Sequence, residues 1–138
     1  MNTPLEGACL CGELSYRVVV PPIDAGYCHC RLCQRSSGAP VLAWFTVPVN
    51  SFSYIKGRPS IFRSSASNQR EFCNACGTQV AFRRSENPTT VDITIASLAE
   101  PMLVQPEYHI WRSSRIAWFE TSDRLPRHED AGPEGDKT

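Results

Sequence analysis

The sequence predicts a mostly β fold of antiparallel strands, arranged as a sheet or a sandwich. Over short stretches apolar residues alternate with polar ones, the period of half-buried strands. Turn residues recur between those stretches, among them 11 prolines and 8 glycines in 138 residues. No segment sustains an apolar 3.6-residue period long enough for an extended amphipathic helix.

Residues 13–20 (ELSYRVVV) form the first predicted strand. Leu14, Tyr16, Val18 and Val20 share one face, and Glu13, Ser15 and Arg17 take the other. Pro21-Pro22 ends it, because proline donates nothing to a ladder. A short helix is predicted over residues 31–36. Strands follow at 41–47 (VLAWFTV) and 51–55 (SFSYI), rich in aromatic and branched side chains. Lys56-Gly57-Arg58-Pro59 then turns the chain. Further strands are TQVAF at 78–82 and TVDITI at 90–95, where Val91, Ile93 and Ile95 alternate with Thr90, Asp92 and Thr94. One helical turn is expected over 98–102, and the last strands are EYHIW at 107–111 and RIAWF at 115–119. In Asp123-Arg124-Leu125-Pro126 the aspartate caps a turn. Residues 1–128 make one domain. The polar tail 129–138 buries too little to order itself.

Composition narrows the function. Hydrophobic residues make up 41% and charged residues 20%, as in an ordinary globular domain. Fourteen basic residues balance 14 acidic ones, which argues against a nucleic-acid binder needing a basic excess. The N-terminus has no basic region followed by an apolar run, and no apolar run could span a bilayer, so no membrane partner is expected. The expected location is the cytoplasm, where clustered cysteines bind metal or do redox chemistry rather than form disulfides.

Seven cysteines fall into three groups: Cys9 with Cys11, then Cys28, Cys30 and Cys33, then Cys73 with Cys76. Thiols one or two residues apart can converge on one ion from a tight turn, and zinc takes four ligands in a tetrahedron. Gly12 and Gly77 follow the first and last groups, where a knuckle needs unhindered backbone. Cys9, Cys11, Cys73 and Cys76 therefore make a closed, structural zinc site that ties the start of the chain to its middle. Cys28, Cys30 and Cys33 are left one ligand short. An open fourth position is the mark of a catalytic zinc. The alternatives are a closed site completed by His29, His109 or Asp123, or a redox dithiol at Cys30 and Cys33. His29, lying between two ligands, would point away from their metal.

Three thiolates leave zinc with a formal negative charge, so it activates water less well than a site of neutral histidines. Soft sulfur ligands suit a soft fourth ligand, and a substrate thiol held as thiolate is a nucleophile. The expected chemistry is addition of a thiol to an electrophilic carbon, or its reversal. Arg31, Arg35, Arg63 and Arg70 lie close enough in sequence to pair with carboxylates of a thiol carrier such as glutathione.

GACLCGELSY, CHCRLCQRSSGAP, REFCNACGTQVAF and HIWRSSRIAWFETSDRLPRH together resemble the glutathione-dependent formaldehyde-activating enzyme family, the GFA or CENP-V/GFA domain, from about Gly7 to His128. The resemblance implies an Mss4-like β-tent of small antiparallel sheets with zinc knuckles, and two zinc ions per chain. The matching positions assign Cys9, Cys11, Cys73 and Cys76 to the structural ion and Cys28, Cys30 and Cys33 to the catalytic one. It further implies a carbon–sulfur lyase forming S-hydroxymethylglutathione from glutathione and formaldehyde. Where the family often reads S-L-D-D-P, this chain has Ser97-Leu98-Ala99-Glu100-Pro101, with one carboxylate missing and the other lengthened. His109, Trp111 and Trp118 match the family's C-terminal pattern. His109 is either a polar pocket group or a hydrogen-bonded core residue, and the tryptophans are expected in the core. Gln34 and Ser36, one turn beyond the trio, either orient a ligand or are surface polar groups. The rival function is a non-enzymatic, zinc-stabilised binding module for a protein or a glutathione-like ligand.

Overall fold

A computed structural model of the chain describes residues 3–132. It is mostly β, with one helix. The elements are β1 (Leu5–Ala8), β2 (Ser15–Val18), β3 (Asp24–Cys28), α1 (Arg31–Ser37), β4 (Leu42–Pro48), β5 (Phe52–Lys56), β6 (Ser60–Arg63), β7 (Asn68–Phe72), β8 (Gln79–Arg84), β9 (Thr90–Thr94) and β10 (His109–Ile110). Three strands form a small antiparallel sheet in the order β1-β2-β5. The other seven form a larger sheet, β10-β3-β4-β9-β8-β7-β6. Its pairings are antiparallel except for β10, which lies parallel to β3.

The main core lies between the sheets. Leu5, Leu14, Tyr16 and Val18 come from the first strands of the small sheet and the loop between them, as their period of two requires. Phe45, Val47, Ala81, Val91 and Ile93 come from the large sheet. The opposite face of the large sheet is buried too. Register places Gly26 beside Trp44, Thr46 beside Asp92, Asp92 beside Phe82, and Phe82 beside Arg70. Strand β9 is therefore covered on both sides, although its alternation predicts one wet face. Asp92 is buried because the Thr46 hydroxyl donates to it at 2.6 Å, and the Thr94 hydroxyl donates to the Gln79 carbonyl. Gly26 is required here, since the Tyr108 ring lies where a Cβ would stand.

Several expectations change. No strand forms at 115–119; the segment is turn and irregular chain, and Trp118 is 77% exposed instead of in the core. Of the expected 107–111 strand only His109–Ile110 is strand, although the Glu107 N–H and the Tyr108 carbonyl also bond to the β3 backbone. Trp111 is partly buried against the trio's cluster and takes a left-handed conformation, φ 57°. β1, β3, β6 and β7 were not expected. In the expected tail, the carbonyls of Glu129 and Asp130 accept from Ser113 and Trp111 N–H groups, and residues 133–138 lie outside the described residues. Among the described residues no helix is long and apolar enough to cross a membrane.

Candidate metal centres

The chain folds its cysteines into the two groups expected from their spacing. The Sγ atoms of Cys9, Cys11, Cys73 and Cys76 lie within 4.8 Å of one another, and so do those of Cys28, Cys30 and Cys33. In the quartet, Cys9 to Cys11 is 3.7 Å and Cys11 to Cys73 is 3.8 Å. A tetrahedral zinc with Zn–S of ~2.3 Å has sulfur–sulfur edges of roughly 3.8 Å, so the donor set fits that ion. Two turns supply it, one after β1 and one between β7 and β8. Gly12 and Gly77 complete these turns at φ 82° and 83°, a conformation other residues rarely adopt. The amides of Leu14 and Ala75 donate to Cys9 and Cys73 Sγ at 3.2 and 3.4 Å. The Thr78 hydroxyl and amide hold the Cys76 thiol down to about 5.

The trio is built within one short stretch. Cys28 ends β3, Cys30 caps α1 by accepting the Cys33 N–H at 3.3 Å, and Cys33 faces inward from the first turn. Trp44, Phe82, Tyr108 and Ile110 surround the three sulfurs. S–H donation from Cys28 and Cys33 holds the Cys30 thiol down to about 2, while Cys28 is driven far up by its contacts with Cys30 and Cys33 and by burial. Cys30 is thus the sulfur of the trio that ionises most readily, which suits a cation. Among the described residues no fourth Cys, His, Asp or Glu joins it.

Each proposed closing ligand is engaged elsewhere. His29 does point away from the sulfurs, and its Nε2 lies 2.8 Å from Nδ1 of His109. His109 Nε2 lies 3.1 Å from both carboxylate oxygens of Asp123. With Asp123 ionised, His109 donates to it through Nε2–H and accepts from His29 through Nδ1. Asp123 also accepts the Leu125 N–H, the local cap expected. Burial first, then neighbouring cations, push His29 down to about 4; burial also lowers His109 despite Asp123. The unfolded chain takes up these protons near the ordinary histidine value, and the native state resists until about 4 for His29. This contribution to stability is full above about pH 6.5 and is lost as pH falls toward 4. We expect the His29 ring-nitrogen NMR shifts to keep neutral-imidazole values from about pH 7.5 to about pH 5.5.

Of the four arginines, Arg70 is the one at the trio. It is 4% exposed, and both Nη atoms lie 3.8 Å from Cys33 Sγ. Nη1 also donates to Ser36 Oγ and Gln79 Oε1, and the guanidinium stacks on Phe82. Arg35 lines an adjacent groove. Arg31 is exposed and donates to Gln34, and Arg63 is exposed on β6. Gln34 is not a surface group; its buried amide clamps the His29 and Ser114 carbonyls. Arg70→Met should lower zinc affinity at the trio ten- to hundred-fold, the usual cost of losing a partner of a ligand. Arg70→Lys should not rescue it, because one ammonium cannot span these contacts. Zinc competition against a chromophoric chelator measures both.

The chain is 28% identical over 85 residues to an uncharacterised lyase of Schizosaccharomyces pombe, covering 60% of this chain and 61% of that one. It is 24% identical over 129 residues to a putative glutathione-dependent formaldehyde-activating enzyme of Halomonas elongata, covering 87% and 82%. A crystallised Rhodobacter sphaeroides protein shares the fold at a TM-score of 0.60 and 20% identity, over 88% of this chain and 98% of that one. Residues 4–114 match the family described as glutathione-dependent formaldehyde-activating enzyme, and the chain belongs to that family.

Proposed function

We propose that the protein is a zinc-dependent carbon–sulfur lyase of GFA type, acting on glutathione or a similar thiol and a small electrophile such as formaldehyde. The observation that carries this reading is the trio. Three converging thiols stand without a fourth protein donor among the described residues, beside the buried cation of Arg70. Cys28, Cys30 and Cys33 would hold the working ion, and Cys9, Cys11, Cys73 and Cys76 the structural one. When bound at the trio, zinc supplies a soft Lewis-acidic centre that keeps a substrate thiol ionised. Arg70 offsets the surplus negative charge of the sulfurs. Trp44, Phe82 and Tyr108 exclude water around them. In the reaction the thiol sulfur bonds to the carbonyl carbon, the C=O double bond opens, and the thiol proton ends on the new hydroxyl. Cleavage is the reverse. The functional unit is the domain expected over residues 1–128, and its seven free thiols suit the reducing cytoplasm.

Cobalt in place of zinc tests this reading. Excess glutathione should shift the absorption of one of two cobalt–thiolate centres. Two unresponsive centres would favour the binding-module function instead.

A further inference from the structure

The cavity that touches Cys28 and Cys33 is small, about 20 Å³, but Arg70, which lines it, also lines a larger groove. Two grooves share Ser36, Gly77 and Gln79. The first, about 600 Å³, has Leu32, Phe62 and Phe72 as apolar walls, with Arg35 and Arg70 beside them. The second, about 430 Å³, carries the hydroxyls of Ser36, Ser37, Thr78, Thr94 and Ser97. Among the described residues no acidic side chain lines either. Both volumes are in the range of small-molecule sites.

We propose, building on the lyase reading above, that the apolar groove holds a bulky S-substituent, aromatic or branched and ending in a carboxylate. The thiol carrier then lies along the hydroxyl-lined groove. Arg70 joins the apolar groove to the chemistry, since it lines the groove and touches Cys33 Sγ. A hydroxymethyl group would leave the walls wet, with Phe62 62% and Leu32 49% exposed. Clustered exposed apolar side chains at a cleft mark a binding surface. Arg70 is already committed to Cys33, Ser36 and Gln79, so a carboxylate on the substituent falls to Arg35. The hydroxyl protons of Ser36, Ser37, Thr94 and Ser97 are donated within the protein, so that groove offers a peptide-like carrier acceptor oxygens for its N–H groups. The substrates are thus thiol adducts of aromatic or branched aldehyde acids.

Calorimetric titration of the zinc-loaded full chain with S-methyl-, S-benzyl- and S-(4-carboxybenzyl)glutathione tests this, because these thioethers report binding without turnover. S-benzylglutathione should bind about tenfold tighter than S-methylglutathione, the gain from burying one ring. The carboxylate should add several-fold more. Phe62→Ala should bring the benzyl conjugate back to the S-methyl value, and Arg35→Gln should remove only the carboxylate increment. Both residues are exposed, so melting temperature should confirm intact folds. Equal affinity for the S-methyl and S-benzyl conjugates would overturn the inference and leave the lyase reading standing. Indifference of the benzyl gain to Phe62→Ala would overturn the placement. No binding of any conjugate would overturn the inference and leave the lyase reading to the cobalt experiment.

Discussion

Cys76→Ser should leave a polypeptide with no cooperative melting transition and a collapsed near-ultraviolet dichroism signal. The quartet takes two sulfurs from the turn after β1 and two from the turn between β7 and β8, with Cys11 and Cys73 touching across 62 positions of sequence. One pair belongs to the small sheet and the other to the large one, so an ion held there staples the two walls of the main core. Closing so long a loop carries an entropic cost that the unfolded chain does not bear. Structural zinc contributes about 10–16 kcal/mol of apparent binding free energy, against net stabilities of about 5–15 kcal/mol for a domain. A serine hydroxyl does not replace a thiolate on zinc, so most of that term is lost. Cys9 and Cys73 are buried within the main core, so losing the ion would disturb the packing between the sheets. A Cys76→Ser protein that melted at the wild-type temperature would show that the quartet is not what joins the sheets.

The cysteine partition was legible in the sequence because each turn is local; spacing and a following glycine suffice to aim two sulfurs at one point. Strand β2 was legible because one face is wet. Leu14, Tyr16 and Val18 alternate cleanly because Arg17 and Val19 reach solvent. β7 carries Asn68, Gln69, Arg70 and Glu71, which reads as loop. The strand exists because its two buried charges have partners: Arg70 on Phe82 and Cys33, and Glu71 paired with Arg83 at 2.7 Å and accepting from Tyr54. Only tertiary pairing supplies those partners, so no local pattern could reveal them. β3 was hidden by Gly26, whose missing side chain makes room for the Tyr108 ring. The error at 115–119 has the opposite cause. Aromatic and branched residues favour a strand only with a neighbour to pair with, and β10, the edge of the large sheet, gains only an isolated bridge to Arg127 beyond β3.

The same limit governed the arginines. Arg31, Arg35, Arg63 and Arg70 were equivalent by proximity in sequence. What separates Arg70 is register, because it sits opposite Phe62 and Phe82 on the site face of the large sheet. That register also puts Phe62 at the groove, a residue with no chemical signature of its own. The His29–Nε2 contact with His109 was equally out of reach, since the two rings meet across 80 positions.

Cys33→Ser should separate the two metal centres. Zinc content should fall by one ion per chain and lyase activity should vanish, while the cooperative melting transition survives. The trio closes no long loop: its three sulfurs lie between the end of β3 and the first turn of α1. Its loss therefore removes little loop-closure entropy, in contrast to the quartet. Cys30 keeps its place as the N-cap, so α1 retains its start. The cost to the apo fold is the contact of Arg70 with Cys33 Sγ, and the buried cation keeps Ser36 and Gln79 as acceptors. Weakening a charged buried contact of this kind costs about 1–3 kcal/mol, well short of a domain's stability. Function has no such reserve. Two thiolates cannot fix the geometry that three supply, and an ion that stays bound through Cys28 and Cys30 loses the sulfur nearest Arg70 and the groove. Metal analysis and differential scanning calorimetry on Cys33→Ser and Cys76→Ser side by side give the decisive comparison. Equal loss of folding in both would abolish the division between a stapling quartet and a working trio. A Cys33→Ser protein that kept both ions and full activity would show that Cys33 is not a ligand.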